Sequence, residues 1–215
     1  MDDIVASAKA GLESCVTTGD IRRLSAGLFR EIGDKSAENV FRVCNELLEP
    51  QDWAMGVIAF DFAFRVRKQY SDDTFSLFEG WLERYVRGWG DCDDFCTHAF
   101  GELILQRPYL FPKIIPWTSR GEFWMRRASA VILIPAIYHG EYGSFDALGI
   151  ADVLIRDEHP LVLKGCGWML KVLSTKKPQL VSDYLAANCK DIPRVAFRYA
   201  IQKMDKEQKE YLMSL

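Results

Sequence analysis

Apolar residues recur at intervals of three and four along almost the whole chain, and this periodicity constrains the fold more than any other feature of the sequence. Such spacing places side chains on one face of an α-helix, and the strict alternation typical of a β-strand is absent. Glycine, proline and aspartate interrupt the pattern at short intervals, as expected at helix ends. The sequence therefore predicts an all-α fold. We place its helices at residues 2–16, 20–31, 36–49, 52–68, 74–87, 92–106, 108–117, 122–137, 144–156, 160–174, 177–189, 193–203 and 205–214.

Strongly apolar helices alternate with shorter and more polar ones. The apolar helices are predicted to begin near Asp52, Asp93, Glu122 and His159, and polar helices such as Asp72–Arg87 lie between them. Alternation of this kind is typical of stacked helix pairs, and the intervals of 41, 29 and 37 residues scatter around the repeat length of HEAT-type units. The pattern predicts an α-solenoid of about six helix pairs. An irregular helical bundle is the alternative on pattern alone.

Length and composition favour one soluble globular unit. The chain has 215 residues, of which 49% are apolar and 27% charged, so it can bury one sizeable core. We predict a single HEAT-like repeat domain over residues 1–215. The net charge of −3 argues against a uniformly basic DNA-binding protein. From Lys113 onward, however, 15 basic residues face 11 acidic ones, against 12 and 19 before it, which places any cationic surface in the C-terminal half.

The cysteines indicate a reducing compartment. They stand at positions 15, 44, 92, 96, 166 and 189, scattered inside apolar helical segments, and the chain opens with Met-Asp-Asp rather than a cationic, apolar signal sequence. We expect reduced core thiols in a cytoplasmic protein. Cys92 and Cys96 are one helical turn apart, yet no second pair or nearby histidine pair completes a zinc site, so we expect no metal. No apolar run reaches the roughly 18 to 20 residues that span a bilayer, so we expect no membrane association.

A basic and aromatic stripe occurs in the second half of the chain. Lys164, Trp168 and Lys171 fall at helical spacing and therefore project from one face. A large aromatic side chain is usually part of a core, but two flanking lysines favour a face that meets a polyanion, where an indole packs on a sugar or a base. We expect Gly165 and Gly167 to let neighbouring helices approach closely.

Further cations occur on the helices before and after this stripe. Arg126 and Arg127 follow Trp124 at a predicted helix start, where free backbone N–H groups and the helix dipole already favour an anion. The alternative for these arginines is pairing with a neighbouring acid. Arg194 and Arg198 repeat the helical spacing near the C-terminus. Lysine and arginine contacts to phosphate provide most of the sequence-independent affinity for nucleic acid, so a phosphate backbone is the predicted common ligand.

Three carboxylates lie close together in the middle of the chain. Asp91, Asp93 and Asp94 precede a helix predicted to begin at Phe95. Capping is the ordinary explanation, with Asp91 as N-cap and the other two in the first turn. Capping does not explain all three, because one N-cap side chain serves one or two backbone donors. The histidines form no Ser-His-Asp or Cys-His set in the order of the sequence.

The order of these motifs resembles that of a known family. Trp-Gly-Asp-x-Asp-Asp at 89–94 is followed by Trp-Met-Arg-Arg-Ala at 124–128, Lys-Gly-x-Gly-Trp at 164–168, and Ile-Pro-Arg-x3-Arg-Tyr-Ala at 192–200. This series is similar to the DNA alkylation repair family, the HEAT-like alkylpurine DNA glycosylases of the AlkD type, and covers nearly the whole chain. The resemblance implies a right-handed superhelix whose concave face cradles duplex DNA.

The resemblance also implies roles for individual residues. An aspartate, an arginine and two tryptophans line the family's lesion cleft. By motif position, the aspartate falls on Asp94, the arginine on Arg127 and the second tryptophan on Trp168. The first tryptophan falls on Gly90, and Trp89 is adjacent. The chain departs from the family pattern at this one position.

The function implied by the resemblance is repair of alkylated DNA. A purine methylated at N3 or N7 is cationic and departs without a general acid, so one carboxylate suffices. We expect a monomeric glycosylase of the base excision repair pathway, without a cofactor, that acts on duplex DNA containing alkylated bases and does not extrude the lesion into a base-specific pocket. The alternatives are a family member that binds damaged or branched DNA without excision, and a HEAT scaffold that binds protein. The expected site comprises Asp94 as catalytic residue, Trp89, Gly90, Trp124 and Trp168 in the lesion cleft, and Arg126, Arg127, Lys164, Lys171, Arg194 and Arg198 as phosphate contacts.

Overall fold

The computed structural model describes residues 4–215, and all regular structure within that range is helical, which confirms the all-α prediction. Residues 2 and 3 of the first predicted helix lie outside the described residues. The α-helices are α1 Ile4–Leu12, α2 Thr18–Glu31, α3 Ala37–Leu48, α4 Trp53–Arg65, α5 Asp73–Arg84, α6 Trp89–Thr97, α7 Ala99–Gln106, α8 Phe123–Val131, α9 Ile134–His139, α10 Ala147–Leu154, α11 Pro160–Ser174, α12 Pro178–Ala187, α13 Arg194–Ala200 and α14 Lys206–Ser214. Short 3-10 helices lie at Arg67–Gln69, Pro108–Lys113, Ile115–Ser119, Tyr142–Ser144 and Ile201–Lys203.

The described chain divides into two compact units. The first ends at Leu103 and the second is Ile104–Leu215. Each is described by itself below, and the single domain over 1–215 stays a prediction. In the part of the chain that the structure describes, none of the helices is both long and apolar enough to cross a bilayer.

Helix α4 is the centre of the first unit. Its residues from Met55 to Ala63 are all buried, and it packs against α2, α3 and α6. The Asp52 side chain begins the helix by accepting a hydrogen bond from the backbone N–H of Met55, at 3.0 Å. Phe60 on α4 stacks on Phe95 on α6 with ring centroids 4.3 Å apart. This buried stack holds α6, and with it Asp94, against the apolar centre of the unit.

Helix α11 has the same role in the second unit, where it packs against α8 and α13. Two of its glycines permit this close packing. A Cβ atom at Gly165 would lie 2.9 Å from Cγ of Arg127 on α8, and one at Gly167 would lie 2.7 Å from the carbonyl oxygen of Ala196 on α13. Both distances are shorter than real Cβ contacts, so the prediction that these glycines admit neighbouring helices is confirmed.

Prolines explain why two of the predicted helices are not continuous α-helices in the structure. The predicted helix 122–137 is interrupted, because α8 ends at Val131 and α9 begins at Ile134 with Pro135 in its first turn. A proline inside a helix lacks the N–H donor and its ring clashes with the carbonyl group four residues earlier. The predicted helix 108–117 is likewise wrong, since this proline-rich segment forms 3-10 turns.

The predicted helix 92–106 is wrong in its start and its continuity. It consists of α6, which begins at Trp89 rather than near Asp93, and of α7. The break falls at His98, whose backbone angles (φ −120°, ψ −98°) are not helical. The other three predicted starts are confirmed, since Asp52, Glu122 and His159 each occupy the N-cap position of a helix.

Candidate functional site

Asp94 is the most enclosed of the three clustered carboxylates. It lies on α6, with its side chain 13% exposed, and its Oδ2 atom is buried without a hydrogen-bond partner. Its Oδ1 atom is paired with the Arg22 guanidinium from α2. His98 Nδ1 is 3.7 Å from the same oxygen. One oxygen is therefore held by the Arg22 guanidinium, and the other has no hydrogen-bond partner.

A buried polar network aligns Arg22 against Asp94. Arg22 Nη1 lies 3.5 Å from Oδ1 of Asp61, a nearly buried residue of α4. The other oxygen of Asp61 accepts hydrogen bonds from the Ser25 hydroxyl and, at 2.8 Å, from Nε of Arg65. Buried charges persist when they are paired and hydrogen-bonded, and this network satisfies that requirement for Asp61. Residues from α2 and α4 thus fix the orientation of a carboxylate on α6.

Burial is the largest influence on the pKa of Asp94. Loss of solvent raises the pKa of the Asp94 carboxyl above its usual range, although the charges of Arg22 and His98 act in the opposite direction. A carboxylate with little remaining solvation interacts strongly with a positive charge that develops beside it. The arrangement is therefore suited to stabilising a cationic transition state.

Asp91 has a different environment, and the prediction that it is the N-cap is wrong. The N-cap of α6 is Gly88, and Asp91 is a residue of the first turn. Its Oδ2 atom reaches back to accept from the backbone N–H of Arg87 at 3.4 Å. Burial raises the pKa of Asp91, and these backbone hydrogen bonds oppose the rise. Asp91 thus satisfies a backbone donor near the helix start, whereas Asp94 lies almost one turn further along.

The aromatic surroundings of α6 differ from the expected arrangement. Trp89 is 55% exposed at the first position of the helix. The Trp53 side chain from α4 lies next to Gly90. A Cβ atom built at position 90 would be 3.5 Å from Nε1 of Trp53. The indole of Trp53 is therefore in ordinary van der Waals range of a Cβ atom at position 90.

In the second unit, the arginines at the start of α8 are held by protein groups. Arg126 Nε is 2.5 Å from Oδ2 of Asp157, and its Nη1 atom donates to the carbonyl oxygens of Arg120 and Gly121. Arg127 is only 5% exposed and donates to the carbonyl oxygen of Leu161 at the start of α11. Both arginines therefore connect α8 to neighbouring segments. The predicted alternative, pairing with a neighbouring acid, applies to Arg126.

Hydrogen bonding also affects the acid that binds Arg126. Burial on its own raises the pKa of Asp157, but hydrogen bonds from Arg126 and from the backbone N–H of His159 outweigh it, so the pKa of Asp157 lies below its usual range. A carboxylate with this environment stays ionised at neutral pH. The ion pair between Arg126 and Asp157 is therefore intact at neutral pH.

The stripe on α11 lies on the open side of the helix. Lys164, Trp168 and Lys171 are half-buried, whereas Val162, Leu163, Gly165, Cys166, Gly167, Met169 and Leu170 are buried. Lys171 lies 5.7 Å from the centroid of the Tyr199 ring and donates to Gln202 at 3.2 Å. Burial, with the charge of Lys203, lowers the pKa of Lys171.

On α13 of the same unit, Arg194 and Arg198 are exposed. Helices α11 and α13 pack directly against each other, and Lys171 of α11 lies beside Tyr199 of α13. Trp124, at the start of α8, is half-buried. Trp168 is also half-buried, and it lies between Lys164 and Lys171 along α11.

Comparison of the sequence with models of known protein families identifies its relatives. The model of the family described as "DNA alkylation repair enzyme" matches residues 14–204. The chain belongs to the DNA alkylation repair enzyme family. A solved structure from Enterococcus faecalis, described as a "predicted DNA alkylation repair enzyme", is similar, with a TM-score of 0.75 at 16% identity over 95% of this chain and 96% of that one. No curated protein matches the sequence significantly.

Membership of the DNA alkylation repair family confirms the resemblance noted in the sequence, and the similarity to the E. faecalis structure shows that the two proteins share a fold. The expected site residues fall in both units. The first unit places Gly90 and Asp94 one turn apart on α6. The second places Lys164, Trp168 and Lys171 on one face of α11, with Arg127 against Gly165.

Sequence reasoning missed two residues that lie beside α6 in this member of the DNA alkylation repair family. Arg22 pairs with Asp94 across 72 positions of sequence, and no local motif links the two. Trp53 was recognised only as part of an apolar helix. No sequence signal distinguishes Trp53 from the apolar run that it begins, and only the structure shows that it is exposed. Among residues 4–215, no group of three or more histidine, cysteine or acidic side chains is arranged to hold a metal ion.

Proposed function

We propose that this protein is a monofunctional DNA glycosylase that hydrolyses the N-glycosidic bond of cationic N3- or N7-alkylated purines in duplex DNA. The observation that carries the proposal is the Asp94 carboxylate, nearly buried and with its Oδ2 atom unpartnered, in a chain of the DNA alkylation repair family. A buried acceptor without a partner is uncommon in folded proteins and calls for a functional explanation. The positive sugar formed during base loss provides that partner.

The proposed reaction needs one carboxylate. The bond between C1′ and the purine nitrogen breaks, and its electron pair neutralises the positive charge of the alkylated base, so no general acid is required. The remaining deoxyribose is an oxocarbenium ion, which Asp94 stabilises. Water adds to C1′ and releases a proton, leaving an abasic site for the later steps of base excision repair. The chemistry uses no cofactor.

Cations of the second unit are proposed to bind the phosphates. Lys164, Lys171, Arg194 and Arg198 retain exposed or half-exposed positions, and phosphate contacts fix a protein on a duplex without reading its sequence. Trp168, between two of these cations, is proposed to contact the lesion nucleotide. We propose that the protein acts as a cytoplasmic monomer. Arg126 and Arg127, which are held by protein groups, are proposed to reach phosphate only through rearrangement of their present hydrogen bonds.

The test is release of free base from a duplex that carries a single N7-methylguanine, with enzyme in excess over DNA. The expected result is release well above spontaneous loss, with the modified strand converted to an abasic product. Release at the spontaneous rate, with duplex binding intact, would contradict the glycosylase proposal. That outcome would support the second candidate, a DNA-binding protein without excision activity. Arg22 favours the second candidate, because its charge already offsets part of that of Asp94.

The phosphate contacts predict a change in salt dependence. Replacing the exposed Arg198 by alanine is expected to weaken binding to modified and unmodified duplexes equally, and to reduce the slope of log affinity against log salt by about 1. Fluorescence anisotropy of a labelled duplex between about 50 and 200 mM salt measures both effects. Lys206→Ala is the matched control, since Lys206 is an exposed cation on α14, which packs on α12. Equal slopes for wild type and Arg198→Ala would exclude Arg198 as a phosphate contact.

A further inference from the structure

Arg22 pairs with two carboxylates that belong to different helices of the first unit. From α2, its Nη2 atom donates to Oδ1 of Asp94 on α6, and its Nη1 atom lies 3.5 Å from Oδ1 of Asp61 on α4. All three side chains are largely buried, and α4 packs against both α2 and α6. One cation is thus divided between two anions that are largely removed from solvent.

The two acids differ in how completely their oxygens are satisfied. Besides the Arg22 guanidinium, Asp61 has hydrogen bonds from the Ser25 hydroxyl and, at 2.8 Å, from Nε of Arg65. Asp94 has Arg22 on its Oδ1 atom, whereas its Oδ2 atom is buried without a hydrogen-bond partner. Asp61 therefore keeps charged and polar partners when Arg22 is removed, and Asp94 depends on Arg22 far more.

The charges around Asp94 give Arg22 a particular weight. Burial raises the pKa of the Asp94 carboxyl more than any other influence, and Arg22 is the largest influence that lowers it. His98 lowers this pKa as well, while Asp61 from α4 and Asp91 on α6 raise it. The His98 ring is a weaker support for the carboxylate, because its Nδ1 atom lies 2.9 Å from the backbone oxygen of Asp94 and 3.7 Å from Oδ1.

We propose that Arg22 is a positioning residue for base release, which keeps the buried Asp94 carboxylate charged and fixes its orientation, so that a negative charge is in place when the sugar becomes positive. A protonated Asp94 would have no charge with which to stabilise an oxocarbenium ion. Sharing of the guanidinium with Asp61 limits how far Arg22 neutralises Asp94 itself. The inference rests on the proposed function, and Arg22 acts through Asp94 without any contact with DNA being assigned to it.

The first test measures the charge of Asp94 directly, so that it does not depend on turnover. The protein is made with isotopically labelled aspartate and titrated by NMR, and the Asp94 signal is assigned by its loss in Asp94→Asn. Arg22→Gln, which removes the cation, is expected to lower the acid dissociation constant of Asp94 about tenfold. Arg22→Lys, which keeps a cation, is expected to retain most of the wild-type value. The His98 ring signals are followed in the same samples, since its protonation also affects Asp94.

Two further variants make this titration specific. Arg23→Gln is the matched control, because Arg23 is the neighbouring arginine on α2 and pairs with Asp20 at the surface, so the Asp94 titration is expected to be unchanged. Asp61→Asn removes an anion that raises the pKa of Asp94, and is expected to increase the dissociation constant of Asp94, the opposite of Arg22→Gln. The thermal unfolding midpoint of each variant verifies that the fold is intact.

The second test is the pH dependence of base release from the N7-methylguanine duplex. A rate that needs the Asp94 anion is lost as pH falls through the pKa of Asp94, so a higher pKa moves this loss to higher pH. Arg22→Gln is expected to be about tenfold slower than wild type on the acidic limb and to approach it at alkaline pH, with Arg22→Lys following the wild type. A purely structural role would lower the rate equally at every pH.

The inference and the proposed function fail in different ways. Base release by the wild type, together with an Asp94 titration that Arg22→Gln leaves unchanged, would overturn the role of Arg22 and leave the glycosylase proposal standing. No base release by the wild type, with a titration that depends on Arg22 and not on Arg23, would reject the glycosylase and leave Arg22 as the group that keeps Asp94 charged. Equal effects of Arg22→Gln and Arg23→Gln on the titration would also overturn the inference.

Discussion

Replacing Asp94 by asparagine is expected to slow base release from N7-methylguanine duplex DNA by up to about a thousandfold. Two unit charges about 4 Å apart interact by about 4 kcal/mol at an effective dielectric constant near 20, and each 1.4 kcal/mol of barrier changes a rate tenfold. Asparagine keeps the shape of the side chain and removes the charge. Single-turnover kinetics measure the effect, with spontaneous base loss as the background. The full value requires a site that excludes water, and the 13% exposure of the Asp94 side chain meets that condition in part.

The neighbouring acid provides the control for this substitution. Asp93→Asn removes the same charge one residue earlier on α6, where the side chain points to another side of the helix. It is expected to leave the rate within about twofold of wild type. Both variants should bind unmodified duplex as the wild type does. An Asp94→Asn protein that releases base at the wild-type rate would show that Asp94 is not the catalytic group, and equal losses in the two variants would indicate a general effect of charge.

Replacing Gly167 by alanine is expected to destabilise the fold by about 1 to 3 kcal/mol, because it overpacks the contact between α11 and α13. The added Cβ atom would lie 2.6 Å from Cβ of Tyr199 and 2.7 Å from the carbonyl oxygen of Ala196. The carbonyl oxygen is a backbone atom, so relief requires the two helices to move apart. Each kcal/mol corresponds to a fall of about 2 to 4 °C in the thermal unfolding midpoint for a chain of this size, which calorimetry resolves.

Gly27 provides the matched control for Gly167. It lies inside α2, and an added Cβ atom there meets nothing within 4 Å. Alanine has a higher helix propensity than glycine, so Gly27→Ala is expected to stabilise the fold by up to about 1 kcal/mol. Shifts of opposite sign distinguish close packing from the intrinsic effect of the substitution. If Gly167→Ala also raised the unfolding midpoint, the tight approach of α13 would be incorrect.

Local signals determined which parts of the fold were predictable from the sequence. Asp52 has the residue type of a helix cap, and Pro160 after His159 marks the first position of a helix; Asp52 and His159 are both N-caps in the structure. The start of α6 was missed because its N-cap, Gly88, has no side chain with which to signal it. Pro135 interrupts an apolar run that continues on both sides of it, so that periodicity alone indicated one helix.

The candidate site was predictable where its residues follow one another in sequence. Helical spacing and the order of motifs predict Asp94 and the stripe around Trp168 as site residues, and their roles stay predictions. Arg22 and Trp53 were missed, because each acts on α6 from a different helix. Pairings across such separations depend on how helices pack, and no local pattern encodes them. Gly90 departs from the family pattern, and the sequence does not show that the Trp53 side chain lies next to it.

The sharing of Arg22 between Asp61 and Asp94 has a consequence for comparing relatives of this protein. The orientation of one acid on α6 depends on residues of α2 and α4 that are far from it in sequence. A relative that lacks Asp61 would leave Arg22 to Asp94 alone, and would hold that carboxylate more tightly neutralised. If Asp94 is the catalytic group that we propose, a relative can lose activity through the residues that support this acid while the acid itself is retained.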